Sequence, residues 1–345
     1  MSPRSHREGG CASAEREGAA ASPAGHPGGE YRSAEQGGAS TGRNAAAGDP
    51  DGPQLHANRA GILAMIASMG LFIVNDALVK YASQTMPAAQ LIFIRGVMAT
   101  ILVLGAAQAM GAMPRIGEIA RGWVAIRALV DAIGSVLFLV SLFQLPLANA
   151  TAINMASPLF IVVLAAVLGE RVGGSRWLAI GIGFVGILLI IQPHSEGFNV
   201  YAIVCVVATV LIAVRDLVTR RVPAGVPSIL ITVSNTVAVT VLAGGLSLIE
   251  GWRAFDAFEM GLLTLAAAFL AAAYYLIVIG TRHGDLSLIV PFRYTAVLFA
   301  TIVGFVVWGD TPNVVAWCGI ALLIGSGIYL LRASRRARAA PVTPG

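Results

Sequence analysis

The chain has 345 residues, 57% of them hydrophobic and only 12% charged, where a soluble domain carries roughly 25% charged residues. At a mean hydropathy of +0.77 too few polar residues are present to cover a globule of this length, so an ordinary soluble fold is excluded and lipid is the expected solvent. The net charge of +5 is carried by arginines set singly between apolar runs and at the C-terminus, without the clustered basic face that a nucleic-acid partner needs.

Residues 1–57 are rich in Gly, Ala, Ser and Pro, hold five arginines against seven acids and show no apolar periodicity. They read as a disordered cytoplasmic tail. They lack the apolar core of a signal peptide, and two readings stay open: a solvated extension, or translated sequence upstream of the natural start. From Ala60 onward the pattern predicts an all-α membrane protein with helices at 60–79, 89–110, 123–142, 147–168, 177–192, 199–219, 227–249, 260–280, 286–308 and 313–331. Most are close to the ~20 residues that a span needs. The short connections carry breakers, among them Pro87, Pro114, Pro146, Pro193, Pro223, Gly251 and Pro312. Residues 333–345 are a basic cytoplasmic tail.

Orientation follows from the basic residues. With a cytoplasmic N-terminus, inside connections and flanks hold twelve arginines (59, 115, 121, 171, 176, 220, 221, 282, 332, 335, 336 and 338), while outside ones hold only Lys80 and Arg253. That split obeys the positive-inside rule and predicts a multi-pass protein of the cell inner membrane with both termini cytoplasmic.

A repeat runs at a constant offset of 140 residues. Val74-Asn75-Asp76 and Lys80 align with Val214-Arg215-Asp216 and Arg220; Pro87 aligns with Pro227, Gly169-Glu170 with Gly309-Asp310, and Trp177 with Trp317. Two halves, 58–193 and 198–332, then hold five helices each, and an odd number forces the second to enter the membrane inverted. Inverted halves place a site at mid-depth that rocking can open to either side, the geometry of a secondary transporter.

Other classes leave little trace. The only lysine, Lys80, is followed by Tyr81, so no phosphate loop is encoded. All five histidines lie in the tail or in loops, which removes Ser-His and zinc-peptidase chemistry from the membrane interior. Cys11, Cys205 and Cys318 lack metal-site spacing. No catalytic residue, cofactor or metal is expected; an intramembrane enzyme built on the symmetric Asp76 and Asp216, or a non-transporting scaffold, stands as the alternative.

The runs PLANATAINMASPLFIVVLAAVLGE and SLIVPFRYTAVLFATIVGFVVWGD, one in each half, resemble the EamA-type transporters of the drug/metabolite transporter superfamily. The segments NDALVKYA, FIRGV and IRALVDAIGSVLFLVSLFQLPLANATAI look like the branch that includes bacterial riboflavin and S-adenosylmethionine carriers. One departure is Asp310, where most members have Glu. The resemblance implies alternating access for a small organic metabolite through a cavity built from helices 1, 3, 4, 6, 8 and 9, with the substrate region at helices 4 and 9.

Ionisable groups inside lipid cost several kcal/mol unless paired or facing a cavity, so each is a site candidate. Arg127 and Asp131 are four apart on one helix and are expected to pair, either as a structural lock or as substrate ligands. Asp76 with Lys80, and Asp216 with Arg220, repeat that spacing near helix ends; they read as snorkelling pairs, or as gating or proton-coupling carboxylates. Asn154 precedes Pro158, which frees its carbonyl, and Pro291 repeats the device beside Arg293 and Tyr294. Arg95 reads equally as a ligand or a snorkelling side chain. Four intramembrane arginines (95, 127, 215, 293) against three aspartates (76, 131, 216) lean towards an anionic or zwitterionic substrate. The bilayer is the other partner, and a homodimer is left open.

Overall fold

The computed structural model describes residues 52–170, 172–192, 199–223, 225–283 and 286–339, and these are all-helical. The α-helices are α1 (Gly52–Ala82), α2 (Ala88–Ala109), α3 (Gly122–Gln144), α4 (Leu147–Asn154), α5 (Ser157–Val167), α6 (Gly174–Ile191), α7 (Tyr201–Thr219), α8 (Ser228–Glu250), α9 (Ala257–His283), α10 (Leu286–Ile289), α11 (Thr295–Trp308) and α12 (Val314–Ala339). Two 3-10 segments, Met113–Ala120 and Val290–Tyr294, complete the described elements. Together they provide ten spans long and apolar enough to cross a membrane. Helix α1 begins at Gly52, inside the stretch expected as tail, and α12 continues through Ala339. The expected tail over residues 1–51 lies outside the described residues.

Proline and glycine set the ends. Pro87, Pro146 and Pro227 sit at the N-caps of α2, α4 and α8, where a missing N–H costs nothing. Gly251 and Gly309 end α8 and α11 at φ of 91° and 71°, a backbone conformation that β-carbons disfavour. Two helices expected to be continuous are broken. The fourth span stops at Asn154 and restarts at Ser157-Pro158; the ninth is interrupted by the 3-10 turn that contains Pro291. In both places proline removes a donor and its ring crowds the preceding turn, so the helix reopens in mid-span. The 3-10 segment Met113–Ala120 was not expected; it packs Met113, Ile116 and Ile119 against Ala107, Leu230 and Val233.

The pairing of helices has two-fold symmetry. The offset of 140 maps α1 onto α7, α2 onto α8, α3 onto α9, α4 and α5 onto the ninth span, and α6 onto α12. The most extensive contacts join α1 with α9 and its repeat mate α7 with α3, then α2 with α8 and α6 with α12. The secondary contacts α1–α11 and α7–α5 are mates in the same way. Thr100 Oγ1 lies 3.3 Å from Thr240 Oγ1 across α2 and α8. A residue meets its own repeat mate only on the symmetry axis, so this contact marks where the axis passes. At α6 and α12 the approach is closest: a β-carbon on Gly186 would stand 2.7 Å from the Gly319 carbonyl, and one on Gly319 would stand 2.6 Å from that of Gly186. Close backbone contact of this kind substitutes for a hydrophobic driving force between helices in lipid.

Candidate functional site

The charged residues of the interior converge from both halves. Asp131 on α3 is 6% exposed and accepts a hydrogen bond from Arg215 Nη1 of α7 at 2.6 Å. The same guanidinium donates through Nη2 and Nε to Asp216 Oδ1 at 2.8 and 3.0 Å. One arginine therefore holds two carboxylates, from two helices. Arg127 is close enough to feel their charge, yet it donates to Thr219 Oγ1 and Asn235 Oδ1, each at 2.8 Å. The expected Arg127–Asp131 pair is thereby corrected. Spacing of four brings two residues onto one helical face, but across the α3–α7 contact Arg215 offers Asp131 the better-aligned donor.

The two helix-end pairs are corrected for the same reason. Asp76 accepts a hydrogen bond from Asn75 Nδ2 at 2.9 Å and lies in the field of Arg95 on α2, whose buried Nε has no partner. Lys80, 7% exposed, donates to the Leu145 carbonyl and stands 5.1 Å from the centre of the Trp308 ring, within the field of Asp310. Arg220 donates to Glu170 at 3.1 Å, with side chains 53% and 60% exposed. Lys80 with Asp310, and Arg220 with Glu170, are repeat mates at opposite ends of the bundle. Lys80 is buried at its end of the bundle, whereas Arg220 and Glu170 are exposed at theirs.

Tyr274 on α9 was missed from the sequence, where it is one aromatic in an alanine- and leucine-rich run; the signal available was a hydroxyl placed in mid-span. It is 57% exposed. Its ring meets Phe72 edge-on at 5.0 Å, and it lies in the fields of Asp131, Arg95, Arg215 and Asp76, which come from four other helices. The tyrosine thus stands where charged side chains of four other helices converge. Tyr274→Phe should retain folding and lower apparent substrate affinity by about tenfold, the worth of one hydrogen bond to a charged or polar ligand, whereas Tyr274→Ala also removes the aromatic wall and should cost more. Transport kinetics of the two variants check this; equal affinity in both and in the parent would remove Tyr274 from the site.

The structure thus brings Asp76, Arg95, Arg127, Asp131, Arg215 and Asp216 together and adds Tyr274. Asn154 lies at the break between α4 and α5, and its Oδ1, like those of Asn75 and Asn149 and the Thr151 hydroxyl, is buried without a partner. Tyr294 is 7% exposed and packs on α12, where its ring occupies the space a β-carbon on Gly327 would need. Arg293 is exposed and joins no bond to the cluster. Among the described residues no group of three His, Cys, Asp or Glu side chains is placed to hold a metal ion.

Ten spans in two repeats, with a cluster of charged side chains drawn from both repeats in the interior, define a membrane transporter. The model of the EamA-like transporter family matches residues 59–192 and again 199–332, and the chain belongs to that family. Among its relatives, the riboflavin transporter of Rhizobium johnstonii is 30% identical over 62% of this chain and 72% of its own. The pseudopaline exporter of Pseudomonas aeruginosa is 26% identical over 80% and 98%, and the S-adenosylmethionine uptake transporter of Rickettsia prowazekii 21% identical over 80% and 94%. A crystal structure with 19% identity and a TM-score of 0.56 covers 81% of this chain and 99% of that one, and shows the same fold.

Proposed function

We propose that this transporter carries a small zwitterionic organic metabolite across the cell inner membrane by alternating access. The observation that carries the reading is the charge balance of the cavity. Arg95, Arg127 and Arg215 stand against Asp76, Asp131 and Asp216, and Arg95 Nε is left unpaired. The leaning towards an anionic or zwitterionic substrate read from four arginines loses Arg293, which stands apart, and with it the excess of positive charge. A cavity with no net charge but separated poles binds a dipolar solute best, because a net ion would leave one set of charges uncompensated. The named relatives act on riboflavin, S-adenosylmethionine and pseudopaline, so membership of the family alone does not single out a substrate.

Alternation uses the two mated ends. Separation of Lys80 from Leu145 and Trp308, with tighter engagement of Arg220 by Glu170, exchanges a shut outer end for a shut inner one, and the repeat makes the two states near mirror images. Asp76 and Asp216, repeat mates within the cluster, are the carboxylates available to couple a proton. Radiolabelled zwitterionic, anionic and cationic metabolites offered to vesicles, with and without a proton gradient, test this: saturable flux of a zwitterion is expected, and flux confined to net anions would overturn the charge argument. Reporter fusions after Gly111, Gly174 and Gly225 should report cytoplasm, and fusions after Met86, Gly251 and Thr311 the other side.

A further inference from the structure

At the end of the bundle bearing Arg220, a cavity of about 390 Å³ lies between the 3-10 segment Met113–Ala120 and the α7–α8 connection, lined by Arg115, Glu118, Arg121, Trp123, Val124 and Val226 among others. None of the residues of the Asp131–Arg215–Asp216 cluster lines it. Its charges are unequal in use. Arg115 is spent: it donates to Glu118 at 2.7 and 3.1 Å and to the Gly225 carbonyl at 2.7 Å. Among the described residues Arg121 makes no side-chain hydrogen bond or ion pair. Arg221 does not line the cavity but borders it, stacked on the lining residue Trp123 with its guanidinium carbon 5.0 Å from the ring centre. With Glu118 neutralised by Arg115, the Arg121 guanidinium in the cavity and the Arg221 guanidinium at its edge have no anion among the described residues, at the place where α3 enters the membrane.

We propose that this cavity binds the phosphate of an anionic phospholipid. A guanidinium suits phosphate because its parallel N–H groups meet two oxygens at once, and basic pockets at the ends of membrane helices are the usual seats of such headgroups. The choice of a lipid over a soluble phosphate rests on what continues below the cavity. Ile126, Leu129 and Ile133 of α3 are 46%, 58% and 38% exposed and follow Trp123 at helical spacing. They lie on the side of α3 opposite Asp131, the residue that faces α7. An apolar stripe thus runs from the guanidinium groups into the bilayer, a track for acyl chains under a seat for the phosphate. The cavity also has one wall in each repeat, bridged by Arg115 to Gly225 and by the Ser234 hydroxyl to the Ile119 carbonyl at 2.7 Å. A lipid seated there contacts both halves and favours the conformation in which they stand at this separation.

The test uses the purified full chain in detergent, with lipid retention read by native mass spectrometry. Dioleoyl-phosphatidylglycerol should be retained at least about tenfold more strongly than dioleoyl-phosphatidylcholine, from roughly 1 kcal/mol per arginine. Arg121→Gln, a change at an exposed side chain without partners, should reduce the preference several-fold, and Arg121→Gln with Arg221→Gln should abolish it. The charge-matched control Arg59→Gln with Arg332→Gln should keep it. Inorganic phosphate at millimolar concentration should not displace the lipid. Retention of the preference in Arg121→Gln and in the double variant, or its equal loss in the control, would overturn the site; displacement by inorganic phosphate would overturn the lipid as its occupant.

Discussion

Arg215→Leu should destabilise the protein by about 3–5 kcal/mol, the cost of breaking a buried pair from one side, and should abolish transport. The carboxylate of Asp131, 8% exposed at its side chain, would lose its 2.6 Å donor while Arg127 stays engaged with Thr219 and Asn235. Adding Asp131→Leu should restore much of the stability, because two apolar residues replace a matched pair of charges at little net cost. It should not restore transport. Thermal unfolding in detergent separates the two effects, and an Arg215→Leu protein as stable as the parent would show that Asp131 is not held by Arg215. The same geometry bears on exchanging the charges of Arg127 and Asp131: with Asp131 bound to α7, Arg127→Asp with Asp131→Arg sets two arginines, 131 and 215, against each other and should fail to fold normally.

Gly319→Ala should cost about 1–3 kcal/mol, the range for overpacking, and Gly319→Val more. The added carbon would meet the Gly186 carbonyl at 2.6 Å and Ile190 and Leu189 at 3.0 Å, and a backbone carbonyl cannot swing aside as a side-chain end can. Gly181, also on α6, has nothing within 4 Å of its β-carbon position, so Gly181→Ala should be neutral or stabilising by up to about 1 kcal/mol. Unfolding temperatures of the two variants in one detergent check the contrast. Equal temperatures would mean that α6 and α12 separate easily, and the symmetric frame would then rest on the α1–α9, α3–α7 and α2–α8 contacts.

Hydropathy and proline placement made the ten spans legible, and the offset of 140 found in the aligned Asp, Pro and Trp residues reappears physically where Thr100 touches Thr240. The identities of the intramembrane charged residues were legible too, because lipid makes each one costly. Their partners were not. A spacing of four describes one helix in isolation, whereas the bonds of Asp131, Lys80 and Arg220 cross to α7, to Leu145 at the end of α3, and to Glu170 beyond α5. Breaks at Pro158 and Pro291 were visible as freed carbonyls but not as ends of helices, since proline in mid-span can also kink a helix without stopping it. Tyr274 escaped because its importance comes from neighbours on four other helices, and nothing within its own apolar run records them.

The central claim, that one charged cavity is exposed alternately to the two sides, is tested most directly by exchange in proteoliposomes. Vesicles loaded with an excess of an unlabelled zwitterionic substrate, diluted into trace labelled substrate, should accumulate label transiently and faster than empty vesicles. Asp131→Asn and Arg215→Lys proteins, reconstituted to the same density, should lose that stimulation. Labelled flux that rises linearly with concentration, is indifferent to substrate on the far side and persists in both variants would contradict the account.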